Sequence, residues 1–108
     1  MYSDHWRQAG YIKTAPVRLN NILNYCYWKN NDGKLIGITI NFEHADDVHI
    51  ELTYDNWNTF LSKELRLGQE MCNQDPSKYL KNITWYELEN RLHFHGIKYQ
   101  ITAPSLNN

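Results

Sequence analysis

Two stretches of strict alternation, separated by only four residues, constrain this chain more than anything else in it. Residues 35–43 place Ile36, Ile38, Ile40 and Phe42 on one side and Leu35, Gly37, Thr39, Asn41 and Glu43 on the other. Residues 48–54 repeat the pattern, with Val48, Ile50, Leu52 and Tyr54 on one side and His49, Glu51 and Thr53 on the other. Successive strand side chains point to opposite faces, so each run reads as a strand with one apolar and one outward face. The link His44-Ala45-Asp46-Asp47 is too short for a crossover, and the two strands must therefore pair antiparallel.

An apolar sheet face needs a cover, and the next segment supplies one. Asp55 is placed to cap a helix in which Trp57, Phe60, Leu61, Leu65 and Met71 or Cys72 recur at helical spacing, leaving Lys63, Arg66 and Gln69 for solvent. This predicts a main helix over about 56–72 lying across the sheet. Gly68 either ends it as the C′ residue or lets it approach the sheet closely. Upstream, the aromatic run from Ile22 to Lys29 leads into Asn30-Asn31-Asp32-Gly33, turn chemistry that makes a hairpin with residues 35–43. Leu19, Ile22, Leu23 and Cys26 also fit a helical stripe. The strand reading is preferred because a hairpin turn at 30–33 fixes residues 35–43 as its second arm.

The ends are less periodic. Ser3 or Asp4 can cap a short turn through His5, Trp6 and Arg7 that Gly10 ends, and Pro16 excludes a long helix. Asp75-Pro76 opens a single helical turn to Lys81. For residues 84–95 two readings compete. As a helix, Thr84 is the N-cap, Glu87 closes a capping box, Ile83 staples onto Leu88 and Gly96 is C′. As a hairpin, a turn at His95-Gly96 pairs Phe94 with Ile97 and Leu92 with Tyr99. The helix carries the more specific signals. Ile97, Tyr99 and Ile101 form a strand in either case, and a polar tail starts at about 104. The expected fold is α+β: an antiparallel sheet of three to four strands, the main helix on one face, and a second helix at about 85–95. With 108 residues, 42% hydrophobic and 14% aromatic, the chain is expected to form one domain, 1–108.

Several function classes have no support in the sequence. The N-terminus has no apolar core of the secretory type and no run long enough to span a bilayer, so a cytoplasmic protein without membrane contact is expected. Cys26 and Cys72 make neither a disulfide framework nor a zinc motif. No nucleophile elbow occurs, and the five glycines are scattered rather than gathered in a phosphate loop. No catalysis and no cofactor are expected. His93-x-His95 would share one side of a strand, a metal-site spacing needing a distant Asp46 or Glu51, whereas a helix would point the two rings apart.

Charge is the remaining signal. The net charge of −1 conceals +3 over residues 1–34, −6 over 35–75 and +2 over 76–108. Glu43, His44, Asp46, Asp47, His49, Glu51 and Asp55 are the candidate partner-binding residues, with the carboxylates forming one acidic surface at one end of the strand pair. Such a field steers a basic protein partner. The leading expectation is a non-catalytic protein-binding module, one version being an inhibitor or immunity-type protein, of the sort mobile elements carry, that occupies a basic nucleic-acid-handling surface. The alternative is a nucleic-acid module using His5, Trp6, Arg7, Tyr11, Lys13 and Arg18 with Tyr25, Tyr27, Trp28, Lys29, Lys98 and Tyr99. It is weaker because 11 basic side chains face 12 acidic ones. A His-based metal protein or enzyme is the third reading.

Overall fold

The computed structural model describes residues 2–19, 23–43, 48–68, 76–81 and 83–102. The expected antiparallel pair is present: β4 (Leu35–Phe42) and β5 (Val48–Thr53) run from Phe42↔Val48 to Gly37↔Thr53. The segment before them is also a strand, β3 (Leu23–Lys29), paired from Leu23↔Phe42 to Lys29↔Leu35. The hairpin turn forms because Asn30 Oδ1 accepts from the N–H groups of Asp32 and Lys34, both at 2.9 Å, an Asx arrangement in which a side chain takes the place of a main-chain carbonyl.

Two short strands extend the sheet beyond β3, namely β1 (Ile12–Lys13) and β2 (Val17–Arg18), and β6 (Gln100–Thr102) closes the other edge on β5. The arm carrying β1 and β2 has one more residue than the stretch of β3 it pairs with, since Lys13 lies opposite Trp28 while Val17 lies opposite Tyr25. Thr14 still pairs, donating its N–H to Tyr27 O at 2.8 Å and accepting the Tyr27 N–H on Oγ1 at 2.9 Å. Pro16 has no N–H to give, and the extra residue arches away over Cys26 as a bulge.

Two faces result. The inner face gathers Leu23, Tyr25, Ile38, Ile40, Phe42, Ile50 and Leu52. Onto it pack α2 (Tyr54–Arg66), α3 (Pro76–Leu80) and α4 (Trp85–Phe94), which contribute Trp57, Phe60, Leu80, Leu88 and Leu92 to the core. Each such large apolar side chain is worth about 1.5–3 kcal/mol when fully buried. The N-cap of α2 is Thr53, which accepts from the Asn56 N–H, and Asp55 stands in the first turn instead. Its C-cap is Leu67, so Gly68, at φ +93°, is the C′ residue in open space and not a close-packing one. Gln69, Met71 and Cys72 lie outside the described residues, as does Asp75.

The buried stripe of α2 is Trp57, Phe60 and Glu64, while Leu65 is exposed. This corrects the expected stripe, and the reason is a pair of partners far away in sequence, Arg91 and His95. Residues 85–94 are helical, which settles the choice between helix and hairpin. Thr84 accepts the Glu87 N–H at 3.1 Å and its hydroxyl meets the Glu87 carboxylate at 3.2 Å. At the other end the Gly96 N–H donates to His93 O and the Ile97 N–H to Leu92 O, the Schellman pattern that calls for the positive φ of Gly96, +67°. The strand expected from Ile97 onward is shorter, starting only at Gln100.

The outer face is covered in part by α1 (Tyr2–Gln8), which starts ahead of Ser3 and Asp4. Trp6 from this helix packs on Trp28, ring centroids 5.5 Å apart, directly over Gly37, where any Cβ would collide with the indole. Arg7 lies over the Trp28 ring and Tyr2 stacks on Trp6. Among the described residues, no helix is long and apolar enough to cross a membrane.

Candidate functional site

Where α1 stops covering the outer face, a recess of about 360 Å³ opens beneath the arm. Its floor is the outward row of the three central strands, Asn24, Cys26, Thr39, Asn41 and His49, and its rim is Lys13, Pro16 and Arg18 from the arm with Glu43 opposite. The register explains the grouping. Asn24 lies opposite Asn41 and Asn41 opposite His49, so three polar side chains form one row across the sheet, and Arg18 joins that row from β2.

Most of these groups are occupied within the protein. Arg18 grips Glu43 with both terminal nitrogens, at 2.6 Å to Oε1 and 3.3 Å to Oε2, and Asn24 Nδ2 donates to Oε1 at 3.1 Å. The guanidinium hydrogen bond, aided by the Asn24 amide, holds the Glu43 carboxyl below the usual carboxylate range. The same bond raises Arg18. Thr39 Oγ1 accepts from Trp28 Nε1 at 3.0 Å. Burial pushes the Cys26 thiol up, which makes it a poor nucleophile near neutral pH. Two groups are left. The Lys13 side chain is exposed and has no hydrogen-bond or ion-pair partner among the described residues, and Asn41 Oδ1 is buried without one. A buried acceptor in that state costs about 1–3 kcal/mol.

The candidate acidic surface is not assembled by the described residues. Glu43 is neutralised by Arg18. Glu51 does point to the outer face, but it is 1% exposed, sealed under α1, and takes the Ser3 N–H at 2.7 Å. Asp55 is exposed yet lies past the opposite end of the β4–β5 pair from Glu43. Five strand steps separate the two ends, about 17 Å at 3.4 Å per residue. His49 lines the recess, and His44, Asp46 and Asp47 lie outside the described residues. Sequence reasoning missed Asn24 and Asn41 as site residues and placed Lys13 and Arg18 in a separate basic terminus. The available signal was the polar outward residues Asn24, Thr39, Asn41 and His49 beside a basic pair, Lys13 and Arg18, that brackets Pro16.

A second polar cluster is structural. Glu64, 1% exposed, accepts from Arg91 Nε at 2.7 Å and from the His95 ring Nε2 at 2.8 Å on the same oxygen. Lys63, expected in solvent, donates instead to His95 O at 3.1 Å. His93 turns the other way to meet the Tyr99 hydroxyl at 2.7 Å, so the two rings do not share one side, as a helix requires. Among the described residues no group of three or more His, Cys, Asp or Glu gathers in a way that could hold a metal ion. Comparisons with protein-family models, with curated proteins and with solved structures return no match.

Proposed function

We propose that this chain is a non-catalytic binding module that holds a protein partner on the outer face of its sheet, with the recess beneath the arm as the point of contact. One observation carries the reading: a concave, solvent-open recess has the exposed Lys13 on its rim and, in its wall, the buried Asn41 Oδ1, hydrogen-bonding capacity that the described residues do not use. Elsewhere the buried ionisable groups, Glu51 and Glu64, are tied into structural contacts. The test is a comparison of immobilised wild type and Lys13→Glu as baits in host extract. Proteins enriched several-fold on the wild type and lost on the variant support the reading; identical sets on both overturn it.

The inhibitor or immunity-type version of this reading depends on Asp46 and Asp47. Replacing both by Asn is expected to slow association with the captured partner and leave the Tm unchanged. Unchanged kinetics would reduce Asp46 and Asp47 to solvated surface.

A nucleic-acid reading gains one observation, since α1 and the arm carry Arg7, Lys13 and Arg18 to the outer face. Two of the aromatic residues that would stack on bases, Trp6 and Trp28, are buried against each other. Oligonucleotide binding that weakens steeply with salt would displace the protein-partner reading.

A further inference from the structure

A third group of chemically active side chains lies apart from both the recess and the Glu64 cluster, on the C-terminal half of α4. Glu89 and His93 stand four residues apart on this helix and therefore share a face. Tyr99 comes back over that face after the turn at Gly96. Its hydroxyl is 3.1 Å from Glu89 Oε2 and 2.7 Å from His93 Nε2. The tyrosine is fixed from both sides: Ile97 is buried in the core, Asn56 Nδ2 donates to Lys98 O at 3.4 Å, and Gln100 pairs with Glu51 in the sheet. His93 is exposed and Glu89 and Tyr99 are half-buried, which leaves the trio at the surface. Zinc bonds of about 2.0–2.1 Å in tetrahedral geometry put neighbouring donors roughly 3.3–3.4 Å apart. The observed 2.7 and 3.1 Å separations therefore have to open by roughly 0.7 and 0.3 Å, a movement that the exposed His93 ring and the soft terminal torsion of Glu89 supply.

We propose that Glu89, His93 and Tyr99 form a three-ligand site for zinc or an ion of like size and charge, with Glu89 Oε2, His93 Nε2 and the Tyr99 oxygen as ligands and water in the fourth position. This is not the His93–His95 pairing suggested by sequence spacing, since the helix points those rings apart and the third donor is a phenol from beyond the turn. A carboxylate and a phenolate together balance the two charges of the ion. The ion takes the place of the phenol proton, which leaves to solvent, and the His93 ring keeps its own proton on Nδ1. The phenol holds that proton up to about 12. Zinc brings a bound water from about 16 down to about 7, a larger change than ionising this phenol near neutral pH requires.

The test is a titration of the metal-free full chain with zinc in mildly alkaline buffer, followed by calorimetry and by tyrosinate difference absorbance. Zinc has a filled d shell and no absorbance of its own here, so any rise belongs to a phenol. Wild type is expected to bind one ion, to release one proton and to show a saturating rise equivalent to one tyrosinate. Tyr99→Phe is expected to lose that rise. His93→Gln and Glu89→Gln are each expected to weaken binding at least about tenfold, with cooperative thermal unfolding showing that the fold is kept. Should a variant fail to fold, the wild-type absorbance decides by itself. Absence of binding, binding that ionises no phenol, or a His93→Gln chain that binds like wild type would overturn the inference.

Discussion

Glu64 and Glu43 show how much the surroundings decide what a carboxylate contributes. Glu64 is sealed between helices, and truncating it to Ala strands Arg91 and His95 on the inside of the molecule. Because a third of the Arg91 side chain stays in solvent, the cost belongs at the low end for a broken buried pair, about 3 kcal/mol in a urea titration. Glu43 is paired in the open, and Glu43→Gln is expected to leave the urea midpoint unchanged near neutral pH. Tyr99 offers a pH test. Desolvation first, and then the hydrogen bond it donates to Glu89, push its hydroxyl from the ordinary 10.0 up to about 12. The unfolded chain ionises this phenol at lower pH than the folded one. Its contribution to stability is therefore complete below pH 10 and is lost as the pH rises toward 12. Tyr99→Phe is expected to flatten that part of the stability–pH curve and to remove one late-titrating phenol from the tyrosinate absorbance; a Phe variant with the same alkaline slope would contradict the assignment.

At the scale of elements, α1 is held on the sheet by a steric fit. Only a glycine at position 37 leaves room for the Trp6 indole, and Gly37→Ala should cost about 1–3 kcal/mol as an overpacked contact. Tryptophan emission should shift to the red as Trp6 and Trp28 become wetter. Combining it with Trp6→Ala is expected to cost less than the sum of the single changes, since the clash disappears with the ring; strict additivity would show that the two do not meet. The elements also show what sequence can and cannot reveal. Strands β4 and β5 and the helices capped at Thr84 and opened by Pro76 were legible because period and caps are local properties. The stripe of α2 was misread at positions 64 and 65, since the reason to bury a carboxylate sits at Arg91 and His95, many residues downstream. Two-residue strands such as β1 and β2 have no period to read. They exist only because β3 offers them an edge.

Across the whole molecule, the sheet separates two tasks. One face is closed by three helices and the apolar core, and the other is shared between α1 and the recess. Of the candidate recess, the outward face of the β4–β5 pair was legible, and of the residues named from sequence His49 and Glu43 line it. Its charge was not legible, because neutralisation of Glu43 by Arg18 and burial of Glu51 under α1 depend on how the first 19 residues fold back over the sheet. The central claim is that partners are held at the recess. It is tested most directly by hydrogen exchange on the complex with the captured partner. The account predicts slowed exchange in residues 13–19 and in 24–26 and 39–41, with α4 unchanged. Protection confined to the exposed Tyr86 and Phe94 of α4, with the recess exchanging as in the free protein, would contradict it.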